Sequence, residues 1–286
     1  MRKILSLLFA ALLPLAGFAA APVYQSNGIC RFILCDYNLS AENEAKIDLI
    51  VADLLKRHEE VFNFTNSNLR INIRLFGRFD DYAQFAKTNF QGFGSAQLNQ
   101  NISNLAGYYS YHDKEVVTWR QRDPTYLANN ILHECSHAIM HQQFRVLPIW
   151  LDEGCAVYFS FPAFMRSAGA QERLKYQWFV LKKWLDEKSL PNLRTFLNLP
   201  PDQFRAEDPD RTYPISWSLF QLLASTPENR AAMNKMILDF QNQNPFDHDC
   251  AELMDKYYPG GVAKLEKDWH LWIIHGAANV LGTKSP

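Results

Sequence analysis

His133-Glu134-Cys135-Ser136-His137 sets two imidazoles four residues apart, with a carboxylate beside the first. On a helix, residues i and i+4 share one face about a turn apart, so His133 and His137 can present nitrogens to a single ion. Sixteen residues beyond His137, within Trp150-Leu151-Asp152-Glu153-Gly154, Glu153 offers a third ligand. Two neutral nitrogens and one carboxylate leave a tetrahedral Zn²⁺ with an open position, which separates a catalytic site from a closed structural one. Glu134 stands where a general base for a water in that position belongs. The set predicts a metal-dependent hydrolase, most directly a peptidase.

Those side chains need two helices and something to hold them. Asp123-Pro124 starts the first, since proline is tolerated in an opening turn, and Leu127, Ile131 and Leu132 fill its core side. Pro148 ends the connection, and residues 149–159 make the second. Upstream, Ser40 can cap a helix whose apolar stripe is Ile47, Ile50, Val51, Leu54, His58, Val61 and Phe62. Residues 69–75 alternate apolar and polar and run into Phe76, a half-buried strand, and a short helix follows around 80–88. Residues 91–104 are rich in Asn, Gln, Ser and Gly and read as a long loop. Residues 107–110 and 115–120 look like a hairpin. A strand just ahead of the metal helix is either an edge for an extended peptide or ordinary hairpin packing.

From about residue 161 the pattern is helical, at 171–188, 191–199, 214–224, 227–240 and 262–277, with proline-rich joints such as Leu199-Pro200-Pro201. The fold class is therefore α+β: a small N-terminal sheet-and-helix region, two zinc-bearing helices and a mostly helical C-terminal half. The expected divisions are 1–20, 21–160 and 161–286.

Met1-Arg2-Lys3, the apolar run from Ile4 to Leu15, and the small residues Ala19-Ala20-Ala21 have the form of a secretory signal peptide. Cleavage is expected after Ala19 or Ala20, with a periplasmic or secreted product and no stable membrane insertion. Losing Arg2 and Lys3 leaves 27 basic against 30 acidic residues, which is no electrostatic footprint for nucleic acid. Hydrophobic residues make up 48%, ample for a packed core. Five cysteines suit an exported chain, but their odd number leaves at least one thiol without an internal partner. On a regular strand Cys30 and Cys35 would face opposite ways, so a bridge between them needs a turn or bulge. Cys135 and Cys155 each lie two residues past a proposed ligand and point away from the metal; they could join the two helices or stay buried thiols.

His133-Glu134-Cys135-Ser136-His137 with the downstream Trp150-Leu151-Asp152-Glu153-Gly154 resembles the gluzincin metallopeptidases, among them families of the bacterial envelope. The resemblance covers residues 107–160, and Tyr213-Pro214-Ile215-Ser216-Trp217 echoes a Tyr-x-x-Ser-Trp segment such proteins often carry. It implies a zincin-like fold, zinc on His133, His137 and Glu153, Glu134 as the base, and a peptide or protein substrate. Gluzincins commonly set a Tyr or His beside the developing oxyanion. Tyr213 is the candidate, Tyr109 and His112 are competitors, and a core tyrosine is the plain alternative. Met140 and Gln143 stand where a metzincin would carry Gly and His, which excludes that class. Val157 stands where thermolysin-like enzymes carry an aspartate that orients the first histidine, so ligand orientation must come from elsewhere, such as a backbone carbonyl. His141, one more turn along, is expected to play a structural role or to support a ligand. The rival reading is a catalytically inactive, zinc-stabilised protein that binds peptide or cell wall. A lipid or sugar hydrolase would need a Gly-x-Ser-x-Gly elbow or a paired-carboxylate signature, and neither is evident.

Overall fold

Alternating side chains in the first half of the chain build a five-stranded mixed sheet. The computed structural model describes residues 22–26, 28–90, 106–160, 168–243 and 249–281; the leader expected at 1–20 and the polar loop expected at 91–104 lie outside them. The strands are β1 (Val23–Ser26), β2 (Cys30–Cys35), β3 (Ile71–Phe76), β4 (Gly107–Ser110) and β5 (Glu115–Trp119). Their spatial order is β1-β2-β3-β5-β4. β2, β3 and β5 run parallel, while β1 and β4 pair antiparallel at the two edges. The β4–β5 hairpin matches the expectation from sequence, and it makes β4 an edge strand.

Side-chain alternation then divides the two faces. Phe32, Leu34, Ile71, Ile73, Tyr109 and Val116 enter the main core. Phe76, Tyr108 and Val117 point the other way, onto Tyr82 and Ala86 of helix α2 (Phe79–Phe90). Arg74 and Glu115 form a two-pronged ion pair at 2.8 and 3.1 Å that ties β3 to β5, and the guanidinium lies 4.8 Å over the Phe85 ring of α2. Cys30 and Cys35 fall on opposite faces, and all five cysteines are free thiols.

Helix α1 (Ala41–Phe62) begins at Ser40, whose hydroxyl accepts from the Asn43 N–H at 3.3 Å, and it buries the expected Val51, Leu54, His58 and Phe62. Helix α3 (Pro124–Gln143) backs onto β4 and β5, and α4 (Ile149–Ser160) packs across α3. Next come α5 (Ala168–Asp186), α6 (Leu193–Leu197), α7 (Pro201–Ala206), α8 (Pro209–Ala224), α9 (Pro227–Phe240), α10 (Cys250–Tyr257) and α11 (Gly261–Leu281). α8 starts five residues before the expected 214, because Asp208 accepts from the Asp210 N–H at 3.0 Å and Pro209 suits the opening turn. Pro214 then falls inside the helix, where its missing N–H removes a bond. α7 and α10 are too short for a 3.6-residue period to show.

α4 is buried nearly all round. A side chain on Gly154 would meet the Ser216 carbonyl oxygen at 2.4 Å and Phe220 Cβ at 3.2 Å, so this glycine lets α8 close onto α4. The stretches at residues 150–154 and 213–217 therefore touch each other. One hydrophobic core holds residues from Cys30 to Ala277, joining the sheet region to the helical half. Among the described residues, no helix is long and apolar enough to cross a membrane.

Candidate metal centre

α3 runs unbroken through the motif, which sets the His133 and His137 rings one turn apart, 4.9 Å between centroids. α4 carries Glu153 to the same point. Its Oε2 lies 3.5 Å from His133 Nε2 and 3.7 Å from His137 Nε2. One donor atom from each of the three residues lies within 4.8 Å of the other two. Two donors held about 2.0–2.1 Å from a tetrahedral Zn²⁺ stand about 3.3 Å apart. The spacing found is close to that.

The chemistry of the set also fits a cation. Glu153 Oε2 is buried and has no hydrogen-bond partner, a costly condition for a carboxylate oxygen unless a cation satisfies it. Glu134, Asp152 and Glu153 converge on the two imidazoles. Burial would lower the basicity of His137, but the Asp152 and Glu153 charges outweigh it and hold that pKa above the imidazole range. Burial pushes the other way on Glu153, and His137 and His133 hold its carboxyl below the usual range. A divalent ion among these donors would satisfy the orphaned oxygen and balance the negative charge.

Support for the second histidine, His137, comes from Asp152, the residue beside Glu153. Its Oδ1 lies 2.9 Å from His137 Nδ1 and its Oδ2 2.9 Å from His141 Nε2. A carboxylate only accepts, so His137 Nδ1 and His141 Nε2 each carry a proton, and a metal ion at His137 Nε2 would displace the second proton that the neighbouring carboxylates hold on that ring. The Tyr111 hydroxyl donates to Asp152 Oδ2 at 3.2 Å, which links the turn after β4 to the ligand set. Despite burial, the two imidazoles hold Asp152 well below the usual carboxylate range. His141 thus supports the ligand shell through Asp152, in line with expectation.

Glu134 is 7% exposed, and burial raises its pKa although two imidazoles lie close. Its carboxylate accepts a hydrogen bond from the Tyr109 backbone, which fastens it to edge strand β4. Tyr213 stacks on His133 at 6.4 Å, and the Glu153 charge, then burial, pushes its hydroxyl pKa well up. Of its competitors, Tyr109 is buried near Asp152, and His112 bonds Asp113 from the exposed hairpin turn. The structure brings together His133, His137, Glu153, Glu134 and Tyr213.

Behind the motif, His58 of α1 joins both ligand helices. Its Nδ1 lies 2.8 Å from the Leu54 carbonyl and must carry the proton, so Nε2 accepts from the Ser136 hydroxyl at 2.8 Å. Cys155 Sγ lies 3.6 Å from the same nitrogen. Burial pushes the His58 pKa down to about 3. Its place on an apolar stripe was evident from sequence; its polar partners were not.

The chain matches no family model, and no curated protein matches it.

Proposed function

We propose that the protein is a zinc-dependent peptidase of gluzincin type and zincin-like fold, acting in the periplasm or outside the cell. The observation that carries this reading is the orphaned Glu153 Oε2, set between two imidazole nitrogens with the buried Glu134 beside them. A purely structural metal site has no use for Glu134.

His133, His137 and Glu153 would hold the ion. Zinc there supplies Lewis-acid chemistry, polarising a carbonyl and lowering the pKa of water to about 7. Glu134, its basicity raised by burial, takes the proton of the attacking water and passes it to the leaving amine. Tyr213 stays protonated well past neutrality and offers its O–H to the oxyanion. Asp152 keeps His137 in the ligating tautomer. β4, the edge strand of the described sheet and next to Glu134, can hold an extended peptide by its main-chain groups. The form of residues 1–20 supports export.

A Glu134→Gln variant tests the reading. It should bind zinc as the parent does and lose hydrolysis by about 10²–10⁴-fold. Equal cleavage by variant and parent would overturn the assignment. A parent that binds zinc and peptide without cutting would point to the binding-protein alternative.

A further inference from the structure

We infer that His58 is a positioning residue for the metal centre: through one directed chain of hydrogen bonds it fixes the two ligand helices against each other, and with them the place of Glu153 opposite His133 and His137. The inference rests on the metal-binding part of the reading above and not on peptide hydrolysis. His58 lies on α1 and is fully buried. Its Nδ1–H donates to the Leu54 carbonyl at 2.8 Å, and burial keeps the ring neutral, so Nε2 is an acceptor. The Ser136 hydroxyl, 2.8 Å away, gives its one proton to that nitrogen. Ser136 Oγ then has only lone pairs to offer Cys155 Sγ at 3.7 Å, so the thiol is the donor there. The protons all point one way, from α4 through α3 to α1.

Each link sits beside a candidate ligand. Ser136 directly precedes His137 and Cys155 follows Glu153 by two residues, so a shift of either helix at this level moves a ligand. On α4 the His58 ring also stacks on Phe159, with 3.9 Å between centroids, and its Nε2 lies 3.6 Å from Cys155 Sγ. One imidazole thus touches both helices that carry the ligands. Glu153 Oε2 stands 3.5 and 3.7 Å from the ligand nitrogens, and bonds to a metal hold their lengths within about 0.2 Å. Apolar side chains could fill the same space, but a fully satisfied buried network admits one arrangement. The plain alternative is that the chain only stabilises the core.

The test uses the full-length protein, stripped of metal and reloaded either with Co²⁺, whose visible spectrum reports ligand geometry, or with zinc in competition with a chelator of known strength. His58→Leu and Ser136→Ala each break the chain. In protein that dichroism shows to be folded, both should shift the cobalt spectrum and weaken zinc binding about tenfold or more. His58→Gln, whose side-chain oxygen can accept from Ser136, should recover part of both. Leu265→Ala, a core truncation on α11, is the control: it should lose stability and keep the parent spectrum. The parent spectrum and a zinc affinity within about twofold of the parent, in either folded variant, would overturn the inference. Should His58→Leu not fold, Ser136→Ala decides alone. A shift as large in Leu265→Ala would also overturn it. A parent that binds cobalt and cleaves no peptide, with shifted variants, would sink the peptidase reading and leave His58 in its role. Cleavage by the parent with unshifted variants would do the reverse, and a parent that binds neither metal would sink both.

Discussion

Asp152, the neighbour of the candidate ligand Glu153, ties two imidazoles together. Its two oxygens each accept from an imidazole, and the one on His137 decides which ring nitrogen is free for an ion. Asp152→Asn keeps the size of the side chain but removes its charge and half its accepting capacity. Zinc affinity, measured by competition with a chelator of known strength, should fall about 10–100-fold while the far-ultraviolet dichroism is kept. Tyr111→Phe removes only one donor to Asp152 and should cost less. Affinity unchanged in Asp152→Asn would mean that His137 is oriented by something else. The carboxylate of a ligand's neighbour reads in sequence as one more polar residue; the signal that could have found it is His141, one turn past His137, whose imidazole needs a partner on the facing helix.

Between elements, the most extensive contact is that of α4 and α8, and Gly154 lets them pack closely. Gly154→Ala puts a methyl group against the Ser216 carbonyl and should destabilise the fold by about 1–3 kcal/mol in urea unfolding. It should also lower activity, because α8 carries Tyr213. A variant as stable as the parent would show that the two helices can part at no cost. This contact explains what could and could not be read beforehand. The capped α1, the alternating β3, the hairpin and the two ligand helices were legible because each is written in local spacing. His133, His137, Glu134 and Glu153 were legible for the same reason. The early start of α8, the short α7 and α10 and the role of Asp152 depend on which helices meet, and spacing along one helix carries no record of that.

Across the molecule, the shared core makes the candidate metal site part of the folding unit. His58 reaches from α1 to Ser136 on α3 and lies against Cys155 on α4, and burial keeps it neutral. Its pKa is near 6.5 unfolded and about 3 folded, so below pH 6.5 the unfolded chain binds the extra proton. Stability from this group is complete above pH 6.5 and declines as pH falls toward 3, by up to about 1.4 kcal/mol per unit. The metal-free parent should therefore lose more stability between pH 6.5 and 4 than His58→Gln, whatever their difference at neutral pH; parallel curves would contradict this. The expressed protein should also be recovered outside the cytoplasm with its N-terminus at residue 20 or 21, as intact mass would show. The central claim, that two helices close on one catalytic zinc, is tested most directly by metal analysis of the purified protein prepared without chelators. Near-equimolar zinc, lost in His137→Ala, is the predicted result. A folded parent that holds no zinc, either as purified or after dialysis against it, would contradict the account.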